Sequence, residues 1–248
     1  MLKIENFEVL GWEHAIRGMR NPMNSWEKSD SGWWEDNKVA CLQYGDEYNY
    51  YLGPEDAKLM MNLRNAGTDH RKFMRMITVY VDITAPLYWW KEFDTYKVGT
   101  VANSCSTMHK IHSEPITVDD FSFDREEDNY KLYVDEYGCY MDIDDLIVFS
   151  CEEIRKKYIA TGDKKYWRHL IQLLPSSYNQ KRTVMLNYEV LANIYKSRRN
   201  HKLDEWHGFC DWIENLPYSE LIIGTSLKDI PICDEIMDEA KRRIEEEK

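Results

Sequence analysis

The run ITVYVDITAPLYWWKEF, residues 77–93, is the most core-like in the chain, and it passes directly into DTYKVGTVANSCSTMHK, residues 94–110. The first run predicts a strand over 77–83 and a compact aromatic helix starting at Pro86, where proline fits a first turn. The second run has one glycine, Gly99, and carries Lys97, Thr100, Asn103, Ser104, Ser106, Thr107, His109 and Lys110. A chain that buries the first run must present the second, as a polar segment, at the border of that core. Asn, Ser and Thr side chains both donate and accept, which suits sugar hydroxyls, base edges and phosphate oxygens. Lys97 or Lys110 could neutralise an anion held there. The plain alternative is a solvated loop whose hydroxyls cap neighbouring helices.

The rest of the chain predicts one α+β domain over residues 1–248, with no repeat, low-complexity tract or linker. LKIENFEVLGW reads as a strand with Ile4, Phe7, Val9 and Leu10 inward. EHAIRGMR begins as a helix and breaks at Asn21-Pro22. GPEDAKLMMNLRNAG is a punctuated helix, with Pro54 in its first turn and Gly67 closing it. Residues 130–163 suggest one long or broken helix stopping at Gly162, and KKYWRHLIQLLP a second. KRTVMLNYEVLANIYKSRRN is expected to be helical, with Val184, Leu191 and Ile194 on one stripe. LDEWHGFCDWIENLP and an acidic amphipathic tail complete a helix-rich second half.

Composition removes several function classes. At 43% hydrophobic and 13% aromatic the chain can bury a real core. A net charge of −12 argues against non-specific binding to nucleic acid, since phosphate repels it. No stretch approaches the roughly 18 apolar residues of a membrane span. Charges from Lys3 onward leave no secretory h-region, and the six cysteines form no CxxC pair. Reduced thiols and a cytoplasmic location are therefore expected. His201 and His207 are six apart, not three or four, so no metal is expected. P-loop, GxGxxG and GxSxG patterns are all missing.

Three further stretches invite competing readings. RRNHK, 198–202, is the densest basic patch, fit either for a phosphate or for complementing a helix C-terminus. RGMRNPMNSWEKSDS, 17–31, is either a lid or an ordinary surface loop. Tyr88, Trp89 and Trp90 could stack a flavin or a base, or serve as core. DIDD, 142–145, opens an apolar helical run, and capping is its expected role.

The order of LMMNLRNAGTDHRKF, MITVYVDIT, APLYWWKEF and TYKVGTVANSCST resembles the flavin-dependent thymidylate synthases. That family runs helix, turn, strand and short helix into the signature RHRxxSxNExSxR. Laid onto it, Thr95, Tyr96 and Lys97 occupy RHR, Thr100 the first Ser, and Ala102 and Asn103 the Asn-Glu pair. Cys105 takes the second Ser and Thr107 the last Arg. Downstream, LPSSYNQKRTVMLNYEVLANIYKSRRNHKLDEW looks like the family's later helix, with Arg199 and Glu205 at its Arg and Gln positions. The resemblance covers about residues 55–110 and 173–215.

It implies a small mixed sheet with a helix-rich second half, a homotetramer and a bound nucleotide. It also implies an FAD cofactor and methylation of a deoxyuridylate-like pyrimidine with reduced flavin and folate. The implied nucleotide-binding residues are Lys97, Thr100, Asn103, Ser104, Ser106, Thr107 and Arg199. The implied cofactor residues are Tyr96, His70, Trp90 and Asn187. Two signature arginines are replaced by Thr95 and Thr107 and the third by Lys97, which supplies charge without the planar fork. A non-catalytic member that senses or sequesters a signalling nucleotide, as some viral (phage) proteins do, is the competing expectation.

Overall fold

The computed structural model describes residues 2–33, 50–124, 131–133 and 140–225, with 131–133 and 140 described by backbone alone. In chain order the elements begin with β1 (Lys3–Leu10), α1 (Trp12–Arg20), β2 (Gly32–Trp33), β3 (Tyr50–Tyr51) and α2 (Pro54–Asn65). Next come β4 (Thr78–Pro86), α3 (Leu87–Phe93), β5 (Val101–Ser104), α4 (Thr107–Lys110), β6 (Lys131–Tyr133) and β7 (Tyr140–Asp142). The later elements are α5 (Ile143–Thr161), α6 (Lys164–Leu173), β8 (Asn179–Asn187), α7 (Tyr188–Arg198), α8 (Asp204–Glu214) and α9 (Glu220–Ile223). Four strands form a sheet in the order β1-β4-β8-β5, while β2 pairs with β3 and β6 with β7.

The apolar run 77–93 behaves as its pattern demands. Along β4, Val79, Val81, Ile83 and Ala85 are buried and Tyr80 faces out, the period of two that one covered face requires. The strand runs on to Pro86, which sits extended as the N-cap of α3. In α3, Trp89, Trp90 and Phe93 are buried and pack ring against ring, 5.0–5.2 Å between centroids.

The structure departs from the sequence pattern in three places. The pattern predicts a helix throughout 181–200, but β8 occupies that segment to Asn187. There Val184, Leu186 and Tyr188 are buried alternately, and the Asn187 carboxamide oxygen accepts from Val190 N at 3.1 Å to start α7. At 131–133 and 140–142 the β6–β7 pair stands where a helix is expected, and the helix begins only at Ile143 with Asp144 and Asp145 in its first turn. In β1 only Val9 of the four expected inward residues is buried; Phe7 is 49% and Leu10 42% exposed. Asn6 takes a left-handed φ of 50°, which interrupts the alternation. The acidic C-terminal tail lies outside the described residues.

The described chain forms two compact units. The first draws on 1–5, 82–95 and 102–183. Its core joins Ile111, Ile116 and Phe121 to Cys151 of α5 and Leu170 of α6. The second draws on the described residues among 6–81, 96–101 and 184–225. There Trp12 meets Tyr188 and Tyr218 edge-on at 5.3 and 5.1 Å. Its buried Asp56 carboxylate accepts from Arg20 Nε at 2.7 Å, Ser29 Oγ at 2.7 Å, Ser31 Oγ at 2.8 Å and Asp30 N at 3.1 Å. Asp30 in turn caps α2, accepting from the backbone of Glu55 and Asp56 at 2.8 and 3.0 Å. The end of α1 and the segment 29–31 are thereby tied to α2.

Candidate functional site

The polar run is not a single loop. It turns through Asp94–Tyr96, reverses at Gly99 with φ 82°, extends as β5 and ends in α4. Part of its polarity is spent locally. Thr100 Oγ1 donates to Tyr96 O at 2.8 Å, and Ser106 Oγ accepts from His109 N at 3.1 Å as the cap of α4. Lys97, Asn103 and Ser104 are exposed, and their side chains make no hydrogen bond among the described residues; nor does half-buried Thr107.

In the first unit, residues 105–107 and Lys110 form one wall of a cavity of about 230 Å³, opposite Tyr178 to Lys181 of the β8 segment. Backbone pairing fixes that wall: Cys105 N donates to Lys181 O at 2.9 Å and Gln180 Nε2 to Cys105 O at 3.2 Å. Lys181 is tied to Asp82 at 3.1 Å and lies 3.8 Å from Glu5; the bond to Asp82, outweighing desolvation, pushes its pKa up. Lys110 has no side-chain partner among the described residues, so its ammonium is available to a ligand. Glu114 and Asp120 also line the cavity. Burial, reinforced by the Asp120 charge, pushes the Tyr178 hydroxyl up, so it stays a donor at neutral pH.

Close by in the same unit, Trp90 is only 1% exposed. Its Nε1 donates to Gln180 O at 2.9 Å, and the Arg182 guanidinium covers its ring at 4.2 Å. Arg182 is held by Asp94 at 2.8 Å and by Gln180 Oε1 at 3.0 Å. Arg182 is not among the sequence candidates. Within its own strand it is one more alternating residue, and its carboxylate partner Asp94 lies 88 positions away.

In the second unit, Tyr96 and Asn187 bracket the Gly99 turn. Asn187 Nδ2 donates to Gly99 O at 3.5 Å, and a Cβ on Gly99 would sit 3.1 Å from that same nitrogen. Tyr96 Oη accepts from Arg198 Nε at 2.9 Å, and the Arg198 guanidinium lies 4.8 Å from the Trp206 ring. The resemblance points to Arg199, whereas the structure sets Arg198 against the signature tyrosine. The signal is legible: Leu191, Ile194 and Arg198 follow i, i+3, i+7, so Arg198 continues the buried stripe and Arg199 turns away. Arg199 instead pairs with Asp211 at 3.0 Å and Glu214 at 3.2 Å. His70 is exposed in the turn after α2.

Arg199 also lines a separate cavity of this unit, about 320 Å³, with Arg64, Arg71 and Lys196. Those three are not among the sequence candidates. Among the described residues no group of three or more His, Cys, Asp or Glu is placed to hold a metal.

No protein-family model matches the sequence, and no curated protein matches it. Solved structures do match. Thymidylate synthase X from Helicobacter pylori, solved with FAD and dUMP, is 15% identical, with 89% of this chain and 96% of that one covered and a TM-score of 0.59. The UMP/dUMP methylase PolB from Streptomyces cacaoi, bound with 5-Br dUMP, is 12% identical, with 90% and 95% covered and a TM-score of 0.53. The same methylase with 5-Br UMP gives 10% identity, 90% and 94% coverage, and a TM-score of 0.56. The chain has the α+β fold of flavin-dependent thymidylate synthase, and at 10–15% identity the fold is what is shared.

Proposed function

We propose that this chain is a nucleotide-binding protein on the thymidylate synthase X fold, gripping a pyrimidine nucleotide through its phosphate and hydroxyls. The observation that carries this reading is the cavity walled by Cys105, Ser106, Thr107 and Lys110, whose ammonium has no partner among the described residues. At about 230 Å³ it is smaller than typical whole-ligand pockets of roughly 300–1,000 Å³, so it fits one moiety of a nucleotide. Lys110 supplies charge for a phosphate. Asn103, Ser104, Ser106 and Thr107 supply the mixed donors and acceptors that sugar and base edges need. Lys97, Thr100 and Arg199 belong to the second unit and are not part of this grip.

A second reading, methylation with reduced flavin and folate, is favoured by the fold shared with a UMP/dUMP methylase. The four residues assigned to FAD are a poor set for it within one chain. Trp90 is buried under Arg182, Tyr96 is bonded to Arg198, and both ends of the Asn187 carboxamide are engaged. His70 alone is exposed. Without guanidinium forks at 95, 97 and 107, the chain is better suited to holding its nucleotide than to flavin chemistry. The homotetramer of the resembled family carries over as part of this proposal.

Purified protein tests both readings at once, through its absorbance spectrum and the mass of any small molecule released on denaturation. A colourless protein that releases, or is thermally stabilised by, a pyrimidine nucleotide is the expected result. A yellow protein with stoichiometric flavin would overturn the holding reading in favour of methylation. No bound molecule and no stabilisation by UMP or dUMP would overturn both.

A further inference from the structure

The cavity between the end of α2, the turn at Arg71, α7 and α9 has an unusual electrostatic make-up. Its charged lining is Arg64, Arg71, Lys196 and Arg199, with no carboxylate among the lining residues, in a chain of net charge −12. The carboxylates nearby are turned to other duties. Glu189 accepts from Arg71 Nε at 3.1 Å and also from Arg75, while Asp211 and Glu214 hold the outer side of Arg199. Among the described residues neither Arg64 nor Lys196 pairs with a carboxylate, so their charges stay unmatched.

Arg64 shows how the excess is maintained. Its guanidinium donates to Leu221 O at 2.8 Å, Ile222 O at 3.0 Å and Asn65 Oδ1 at 2.9 Å, so dipoles orient it but no carboxylate among the described residues cancels it. Burial, with repulsion from Arg71 added, pulls its pKa below the usual arginine range. Lys196, exposed at the rim, has no side-chain partner among the described residues. Helix C-termini favour such cations one at a time, but that does not explain why three elements turn theirs into one cavity. Tyr195 Oη, also in the lining, donates to Glu214 at 2.6 Å.

We propose that this cavity binds a multiply charged phosphate-type anion, either a free pyrophosphate or the phosphate of a nucleotide. Arg64 and Arg71 line its half-buried part, and Lys196 and Arg199 close its rim. Fork-shaped guanidinium donors match phosphate oxygens, and a volume of about 320 Å³ is at the small end of ligand pockets. The proposal rests on this cavity alone and uses none of residues 94–110.

The test is isothermal titration of the full chain with inorganic pyrophosphate at constant ionic strength, against a chloride control. Lys196→Met and Arg199→Gln, each checked for a wild-type melting profile, should weaken binding about tenfold or more, the loss of one charged hydrogen bond. Lys157→Met, the same charge change on the exposed face of α5 in the other unit, should leave it unchanged. No heat from wild type at millimolar pyrophosphate would overturn the proposal, and so would equal losses from Lys196→Met and Lys157→Met. A parallel titration with dUMP separates the two sources. Competition between pyrophosphate and dUMP that Lys196→Met abolishes identifies the anion as the nucleotide's phosphate; pyrophosphate whose Lys196-dependent binding is indifferent to dUMP identifies a free anion. If dUMP fails and pyrophosphate binds, the nucleotide reading falls and this one stands. If dUMP binds, is indifferent to Lys196→Met, and pyrophosphate fails, this proposal falls and the nucleotide reading stands.

Discussion

The two cavities both contain lysines, yet their charges are balanced in opposite ways. In the first unit Lys110 and Lys181 share the lining with Glu114 and Asp120, and Lys181 is further committed to Asp82. In the second unit the charged lining is all cationic, and the compensating carboxylates stand behind it. A balanced, hydroxyl-rich lining selects ligands by hydrogen-bond pattern and keeps little net field. A cationic lining built on half-buried arginines selects by charge. A nucleotide offers both kinds of handle, so the difference assigns each cavity a distinct chemical preference.

The same contrast runs through the two units' ion pairs, and it can be broken by substitution. Arg20 and Asp56 of the second unit are 5% and 0% exposed. Asp56→Ala would strand a buried guanidinium and lose three further hydrogen bonds. Urea unfolding should show a loss of about 3–5 kcal/mol; a loss under about 1 kcal/mol, the range of an exposed pair, would show that the two are not buried as described.

The alkaline limb of stability comes next in size. Burial pushes the Cys210 thiol from its ordinary 9.0 up to about 11. Between those values the unfolded chain has lost a proton that the folded chain keeps. Stability is therefore full below pH 9 and falls as pH rises toward 11, by up to about 2–3 kcal/mol. Cys210→Ala should flatten that fall, whatever it does to stability at neutral pH.

The first unit's counterpart, Arg155 with Glu152, is partly open at 12% and 15% exposure. Glu152 also accepts from Ile116 N at 2.8 Å. Glu152→Ala should cost about 1–3 kcal/mol, less than Asp56→Ala, when the two are compared in the same urea series. Equal losses would erase the contrast.

The smallest effect separates the cavities by salt. Raising ionic strength from about 0.05 to about 0.5 M, which shortens the screening length at least twofold, should weaken pyrophosphate binding several-fold. The contribution of Lys110, read as the loss of nucleotide binding in Lys110→Met, should be less salt-sensitive because oppositely charged neighbours already balance it.

How much of the molecule is legible in its sequence follows from which forces are local. The strand into the aromatic helix is readable because alternation and a proline boundary are local properties, as is the Pro54 start of α2. The β8–α7 junction is hidden because Val184 fits a helical stripe as well as a strand, and only Asn187 marks the break. The capping role of Ser106 matches the plain alternative for the polar run. The arginine positions are the least legible. Arg64 finds its carbonyl partners 157 and 158 residues away, and Arg182 its carboxylate 88 away. No window of sequence contains such pairs. The fold itself is legible through the order of segments rather than through the signature's identities, all eight of which are exchanged.

The central claim is that a pyrimidine nucleotide is held by its phosphate. The direct measurement is thermal stabilisation of the full chain by dUMP and UMP against uridine, which lacks the phosphate. At about a hundred times the dissociation constant the nucleotides should stabilise by about 2.7 kcal/mol, visible as a clear rise in Tm, and uridine should leave it unmoved. Equal shifts with uridine, or none with any of the three, would contradict the account.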